Sequence, residues 1–141
     1  MPLAQSSVIP FRAAAFGLEF CLITSIRARK WGFPKGLIDP GETAIESGLK
    51  EAWEEAGLRG QVIGEALGDY RYEKWGETLE VAVYVMHVET VEDDWLESAM
   101  RERRWADADE AKLLIAKDPR ATFFPAAIDQ AQRWLAANSG Q

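Results

Sequence analysis

Residues Gly36 to Leu58 read GLIDPGETAIESGLKEAWEEAGL. The second part of this segment predicts a helix over Glu42–Ala56, which Thr43 can cap or open. Gly57 suits the position directly after the helix, where a left-handed residue is common. Four apolar residues recur at helical spacing and predict the buried stripe of the helix: Ile45, Leu49, Ala52 and Ala56.

Three glutamates stand at positions i, i+3 and i+4 of this predicted helix, namely Glu51, Glu54 and Glu55. Their carboxylates should project from one solvent-facing side, where like charges repel. Lys50 can pair with Glu54 or with Glu46, but one lysine does not neutralise three carboxylates. Taken alone, such a run is usually a solvated acidic face. Its alternative is a site for Mg²⁺, or for Mn²⁺, which oxygen ligands hold well.

The segment resembles the Nudix box, G-x5-E-x7-R-E-U-x-E-E-x-G-U with U apolar, and matches its spacing throughout. The fixed positions are occupied by Gly36, Glu42, Glu51, Glu54, Glu55, Gly57 and Leu58. The resemblance implies that Glu51, Glu54 and Glu55 hold the cation together with Gly36. It also implies that one box glutamate is the catalytic base, and it leaves open which one. Glu42 and Gly57 would be structural.

One position departs from the pattern, since Lys50 stands where the family has arginine. In the family that arginine helps to orient the neighbouring glutamates. A lysine keeps the charge but loses the planar, bidentate fork, so the metal site would be looser. No metal-binding carboxylate is lost, and the resemblance still implies an active enzyme with Lys50 in a supporting role.

Four stretches outside or at the edge of the box carry a weaker resemblance: Trp31–Gly36, Val83–Val85, Glu92–Trp95 and Arg101–Trp105. Together they are similar, over about residues 8 to 115, to the diphosphoinositol polyphosphate and diadenosine polyphosphate branch of Nudix enzymes. Lys35, Arg101 and Arg103 are the candidate substrate-binding cations, while Glu80 stands near a place where that branch has a basic residue. Arg27, Arg29 and Lys30 could line an entrance, and His87 reads as a sheet residue. Three aromatic residues could stack on a base: Tyr70, Tyr72 and Trp75.

Strand patterns flank the helix on both sides. Three glycines and two prolines between Trp31 and Gly41 predict a loop without regular structure. A turn is expected at Trp75-Gly76, and Cys21 is expected in the core. The predicted strands are 8–11, 19–25, 61–63, 66–73, 78–88 and 103–106, and the later predicted helices are 108–116 and 125–137. With the family resemblance, this order predicts a Nudix α/β/α sandwich with a mixed central sheet and a loop-helix-loop.

Composition limits the remaining possibilities. The chain has 141 residues, a net charge of −7, one histidine and one cysteine. We expect one domain over residues 1–141, in the cytoplasm, without a membrane segment or a broad nucleic-acid surface. Its expected partner is a small phosphorylated substrate, and the oligomeric state stays open. A single histidine leaves little material for a zinc site of several histidines or a Ser-His-Asp triad.

The predicted function is therefore hydrolysis of a phosphoanhydride bond that depends on magnesium. Dinucleoside polyphosphates rank first as substrates, diphosphoinositols second and nucleoside triphosphates third. ADP-ribose and a 5′-triphosphate RNA end are alternatives within the same chemistry. An alternative of another class is a Nudix-like module that binds a nucleotide without cutting it.

Overall fold

A mixed β-sheet forms the centre of the computed structural model, which describes residues 1–138. Its strands within that range are β1 Leu3–Ala14, β2 Gly17–Thr24, β3 Trp31–Gly32, β4 Lys35–Leu37, β5 Leu58–Lys74, β6 Glu77–Val91 and β7 Arg103–Asp107. The helices are α1 Ala44–Ala56, α2 Ala108–Leu114, a 3-10 helix Pro119–Phe123 and α3 Phe124–Asn138.

The main path of the sheet runs in the order β3-β2-β1-β6-β5, with β4 beside β1 and β7 beside β2. β1 and β6 are parallel, and the remaining ladders of the described chain are antiparallel. The prediction of a mixed sheet is therefore confirmed.

Alternate side chains of the central strands face opposite sides and divide the core into two layers. Val8 and Cys21 belong to the layer that α1 covers with Ala52 and Ala56. Their neighbours along the strands, including Ile9 and Leu22, belong to the layer under α2, the 3-10 helix and α3. This arrangement is the predicted α/β/α sandwich, and the predicted burial of Cys21 is confirmed.

Helix α1 begins at Ala44, two residues later than predicted. Thr43 is extended and forms a capping box, in which its side chain accepts from the Glu46 amide and the Glu46 side chain accepts from the Thr43 amide. The predicted end is confirmed, since Gly57 is left-handed at φ 69°. The predicted buried stripe is partly wrong, because Ile45 is exposed.

Gly48 explains this shift of the buried stripe. It is buried against β1, where an added Cβ would lie 2.8 Å from Cγ1 of Val8. A helix that approaches a strand this closely turns its small residues inward, and the larger Ile45 then falls at the edge of the contact.

Two strand predictions need correction. The predicted loop between Trp31 and Gly41 contains the short strands β3 and β4, which pair with β2 and β1. The two strands predicted before Trp75 are one strand, β5, whose register against β6 shifts between Ile63 and Gly68. Local composition misled both predictions, because strand pairing depends on distant partners. The turn at Trp75-Gly76 is confirmed.

No helix among the described residues is long and apolar enough to cross a membrane. The predicted domain, residues 1–141, extends into residues 139–141, which lie outside the described part of the chain.

Candidate active site

A cavity of about 390 Å³ opens beside the C-terminal part of α1. Its wall combines positive charge with aromatic rings and two carboxylates. The cations are Lys30, Lys35, Lys74, Arg101 and Arg120, the rings include Trp31, Phe33, Tyr72 and Trp75, and the carboxylates are Glu55 and Asp118. Five cations against two anions give the cavity a positive excess, although the chain as a whole is acidic.

Glu55 is the box glutamate that reaches this cavity. It is only 6 % exposed, so the expectation that all three glutamates face solvent is wrong for Glu55. The Lys35 amide donates to its Oε1 at 3.3 Å, and Nη2 of Arg101 lies 3.6 Å from its Oε2. Helix α1 packs against β4, and the residue at this helical position is therefore enclosed.

Glu51 stands one turn before Glu55, and its carboxylate lies within hydrogen-bonding reach of the Glu55 carboxylate. Gly36 makes room for it, since an added Cβ there would lie 2.3 Å from Cδ of Glu51. Any side chain at position 36 would displace the Glu51 carboxylate. The fixed glycine of the box is thus explained by the close approach of the β4 backbone to α1.

The negatively charged form of both carboxylates is disfavoured in this setting. Burial raises the pKa of Glu55 to about 8, the negative charge of Glu51 adds to the rise, and Arg101 opposes it. Burial also raises the pKa of Glu51, helped by the charge of Glu54. The Arg101 ion pair is too long and too shared to offset burial.

Glu54 shares the acidic face but is less enclosed, and its backbone carbonyl accepts from the Glu97 amide at 3.1 Å. Among residues 1–138, no three histidine, cysteine, aspartate or glutamate side chains already stand in an arrangement that could hold a metal ion. The structure thus brings Gly36, Glu51 and Glu55 together and leaves Glu54 beside them.

The donor set nevertheless fits a hard divalent cation. Two adjacent carboxylates with raised pKa values are a site where positive charge is missing, and a cation would supply it. Magnesium typically uses one or two carboxylates and keeps waters and substrate phosphates as its other ligands. Oxygen atoms of Glu51 and Glu55 meet this requirement, and Glu54 on the same helix offers a further carboxylate.

The sequence predicts that Lys50 pairs with Glu54 or Glu46, and this prediction is wrong. Its ammonium lies 2.7 Å from Asp39 Oδ2 and 2.9 Å from Glu42 Oε2. Glu42 also accepts from the Asp39 amide at 3.0 Å, so these three residues tie the loop before α1 to the helix. Lys50 points toward the loop because the loop folds back along α1, a long-range feature that helical spacing does not encode.

Lys35, at the start of β4, extends into the cavity. Its ammonium donates to the Tyr72 hydroxyl at 3.0 Å, and that hydroxyl donates to Gln5 Oε1 at 2.8 Å. Burial lowers the pKa of Lys35, and the nearby charge of Arg120 adds to the effect. Within residues 1–138 the Lys35 ammonium forms no ion pair, so its charge is available to an anionic ligand.

The two arginines proposed for substrate binding separate in the structure. Arg101 lines the cavity, held by Glu97 Oε1 at 2.7 Å and by the Thr24 carbonyl at 3.0 Å. Arg103 instead lies under the end of α1, where Nη1 donates to the Ala56 and Glu92 carbonyls, each at 2.7 Å. Its guanidinium also covers the Trp95 ring at 4.1 Å, and its place in the fold is that of a brace.

A buried ion pair forms another part of the cavity wall. Arg120 is 4 % exposed and binds both carboxylate oxygens of Asp118, with Nε to Oδ1 at 2.8 Å and Nη2 to Oδ2 at 2.7 Å. Its Nη1 donates to the Phe33 carbonyl at 2.6 Å and to Ser7 Oγ at 2.9 Å. Ser7 in turn donates to the Pro34 carbonyl at 2.8 Å.

This pair, the Asp118–Arg120 clamp, holds the backbone that leads into Lys35 and Gly36. Burial acts to raise the pKa of Asp118, but hydrogen bonds and charge attraction from Arg120 outweigh it and the pKa is lowered. Sequence reasoning missed both residues, and it also missed Glu97 and Gln5. Only the Asp-Pro-Arg order at 118–120, which starts a helical turn, offered a local signal.

His87 lies outside the cavity, as expected for a sheet residue. Its ring packs 4.4 Å from Trp134 and 5.3 Å from Phe11, between centroids. Glu80 pairs with Arg71 at 2.7 Å and does not line the cavity.

Comparison with known proteins finds a matching family and individual relatives. A family model described as the NUDIX domain matches residues 9–127. Nudix hydrolase 4 of Arabidopsis thaliana is 30% identical over 97 residues, which cover 67% of this chain and 46% of the relative. Diphosphoinositol polyphosphate phosphohydrolase 3-beta of Bos taurus is 30% identical over 105 residues, covering 72% of this chain and 63% of the relative.

The fold is also found among solved structures. The crystal structure of the C. elegans Ap4A hydrolase superposes with a TM-score of 0.73 at 20% identity, covering 96% of this chain and 99% of that one. The chain spans only about half to two thirds of the length of the two relatives named above.

Proposed function

The chain belongs to the Nudix family, and we propose that it is a hydrolase that cuts a phosphoanhydride bond with water and depends on a divalent cation. One observation carries the proposal. Glu51 stands against the Gly36 backbone and beside Glu55, and Glu55 lines a cavity with an excess of cations. Carboxylates next to a cationic cavity suit a metal that receives an anionic substrate.

In this proposal Glu51, Glu54 and Glu55, with the Gly36 carbonyl, hold Mg²⁺ or Mn²⁺. When bound, the cation would offset negative charge on the phosphate oxygens and make a neighbouring water more acidic. One of the glutamates takes the proton of the attacking water, and which one stays open. Residues 1–141 act as a single domain, because the described helices pack on one sheet.

The other residues of the site bind and orient the substrate. Lys35 and Arg101 point cationic groups at the cavity and would contact phosphate oxygens. The Lys35 amide orients Glu55, while Lys50 and Glu42 fix the loop in front of α1. The Phe33 and Tyr72 rings on the wall exclude water from part of the cavity.

A calorimetric titration with magnesium, with a diphosphate ligand present, tests the metal site. We expect binding by the wild type and weaker binding by Glu51→Gln, because the variant removes an anionic oxygen ligand. Absence of magnesium binding by the wild type under these conditions would contradict the proposal.

Among substrates, we rank dinucleoside polyphosphates first. The cavity includes Lys30, which the sequence offered as an entrance residue, and Lys74, which it did not indicate, beside Lys35 and Arg101. Aromatic rings stand beside these cations, and a ligand with both bases and phosphates uses both features. Diphosphoinositols, which carry phosphates all round a ring, use the cations alone and rank second. Nucleoside triphosphates rank third, with ADP-ribose as a further alternative.

A phosphate-release assay on these substrates, with and without magnesium, tests both the activity and the ranking. Side-by-side kcat/KM values for diadenosine tetraphosphate, a diphosphoinositol and ATP give the order. A preference of about tenfold or more for ATP, which corresponds to about 1.4 kcal/mol, would overturn the ranking. It would not contradict the assignment of the protein as a hydrolase, because ATP is also cut at a phosphoanhydride bond.

A non-catalytic nucleotide-binding module is the second candidate. Two observations favour it: Glu55 already has Arg101 beside it, and the described residues hold no ready-made three-ligand site. Tight binding of diadenosine tetraphosphate without release of phosphate, in magnesium and in manganese, would select this alternative.

A further inference from the structure

A second cavity, of about 550 Å³, opens next to the first. We call it the α2 cavity, because Leu113 and Leu114 of α2 form much of its wall, together with Pro119 and Lys117. Its volume lies within the range of roughly 300–1,000 Å³ that is usual for small-molecule sites.

The α2 cavity and the first cavity share part of their walls. Lys30, Trp31 and Asp118 line both. Trp31 is held in place because it pairs with Thr24 of β2 and packs against the core under α3. Asp118 presents little free negative charge, because Arg120 binds both of its oxygens. A ligand in the first cavity can therefore continue past Trp31 into the second.

The chemistry of the α2 cavity differs from that of the first. Its wall combines leucine and proline with an indole ring and two lysines, and Leu113 is 79% exposed. Within residues 1–138, neither Lys30 nor Lys117 forms an ion pair. An exposed large apolar side chain beside unpaired cations suits a ligand that has a flat apolar part and an attached anion.

We propose that the α2 cavity binds the second nucleoside of a two-ended polyphosphate whose phosphate chain lies in the first cavity. Trp31 stacks on or flanks this base, Leu113 covers it, and Lys30 and Lys117 contact the adjoining phosphates. The proposal rests on the proposed function, because it assumes that the first cavity receives phosphates. It extends that function by giving each end of the substrate its own subsite.

Binding of two analogues that water cannot cleave separates this proposal from the hydrolytic one. One is a methylene-bridged diadenosine tetraphosphate, and the other is a methylene-bridged ATP, which has a single base. Dissociation constants for both would be measured by calorimetry, in magnesium, on the wild type and two variants. Because nothing is hydrolysed, the outcome does not depend on whether the protein is an enzyme.

The informative variant is Leu113→Asp, which places a negative charge on an exposed position of the α2 cavity and should leave the fold intact. Its matched control is Phe16→Asp, which also changes an exposed apolar residue, in the turn between β1 and β2 at the far end of β2 from the cavity. We expect the wild type to bind the two-base analogue about tenfold more tightly than the one-base analogue, because stacking of the second base adds a free energy of that size.

Leu113→Asp should remove this difference by weakening the two-base analogue about tenfold while leaving the one-base analogue unchanged, since only the former reaches Leu113. Phe16→Asp should behave as the wild type. Equal affinity of the wild type for the two analogues would overturn the proposal, and so would an equal loss for both in Leu113→Asp. Failure of the phosphate-release assay, in contrast, would count against the hydrolase alone.

Discussion

Two walls of one cavity are built in opposite ways. The α1 wall is Glu55, with Glu51 and Gly36 beside it, and all three come from a single segment of 23 residues. The second wall is the Asp118–Arg120 clamp, whose arginine lies 87 residues along the chain from the Phe33 carbonyl that it binds. Both walls carry buried charge, and both border the same space.

The walls differ in how that charge is balanced. On the α1 wall, burial and mutual repulsion raise the pKa of Glu55 to about 8, and a 3.6 Å contact with Arg101 does not compensate. In the clamp, each oxygen of Asp118 is bound by Arg120, and the pKa of Asp118 is lowered. Unbalanced buried charge indicates a place for a cation or for proton transfer, whereas balanced buried charge indicates support.

The largest effect on activity should come from the α1 wall. Glu54→Gln and Glu55→Gln should lower kcat by about 10²–10⁴ with the fold retained, because each loses a metal ligand or the base while the side-chain volume is kept. Rates of phosphate release and the circular dichroism of each variant are the measurements. Glu65→Gln, an exposed glutamate of β5, is the control and should match the wild type. Full activity of both box variants would contradict our assignment of these glutamates to the active site.

The clamp should act first on stability. Arg120→Met leaves Asp118 buried without its partner and should lower the free energy of unfolding by about 3–5 kcal/mol, as measured by urea unfolding. Arg133→Met is the matched control. Arg133 also pairs with an aspartate, Asp129, but its side chain is 72% exposed. This control should change stability by less than about 0.5 kcal/mol.

Equal effects of Arg120→Met and Arg133→Met would mean that burial does not distinguish the clamp from a surface pair. Arg120→Lys should fall between Arg120→Met and the wild type. It keeps the charge but loses the fork that binds both oxygens of Asp118.

The smallest effect should follow from loosening the loop in front of α1. Lys50→Met removes the bridge to Asp39 and Glu42 and should weaken magnesium binding by about tenfold at most, because Lys50 touches the supporting loop and not the glutamates that we assign to the metal. The magnesium dependence of phosphate release measures this shift. Lys112→Met, on the outer side of α2, is the control and should leave the dependence unchanged. A loss as large as that of Glu55→Gln would place Lys50 in the metal site itself.

Local patterns predicted the helix that carries the first wall. The end of α1 at Gly57, the turn at Trp75-Gly76 and the alternation of strands and helices were predictable, because caps, turns and helical faces are set by residues a few positions apart. The spacing of the three glutamates along one helix gave their common face. The resemblance to the Nudix box, and not local spacing alone, indicated that this face is a site and that Gly36 belongs to it.

Local patterns failed where a residue's partner lies far along the chain. Three features were missed for this reason: Glu55 is buried, Lys50 pairs with Asp39, and Arg103 lies under α1 and not in the cavity. Each depends on how the loop before α1, or the segment after β6, folds against that helix. The strands β3 and β4 arose in a segment rich in glycine and proline because β2 and β1 offered them edges. Local propensity does not contain these contacts.

The amino-acid order alone therefore specified a loop, a helix and an acidic face, because backbone hydrogen bonds and side-chain spacing in a helix are local. Whether that face meets solvent, a counter-ion or a cavity was determined by packing across the sheet. The Asp118–Arg120 clamp shows why. An arginine and an aspartate two residues apart are unremarkable on a surface, and they become a wall of the cavity only when β1 and the Phe33 carbonyl close over them and take away their water.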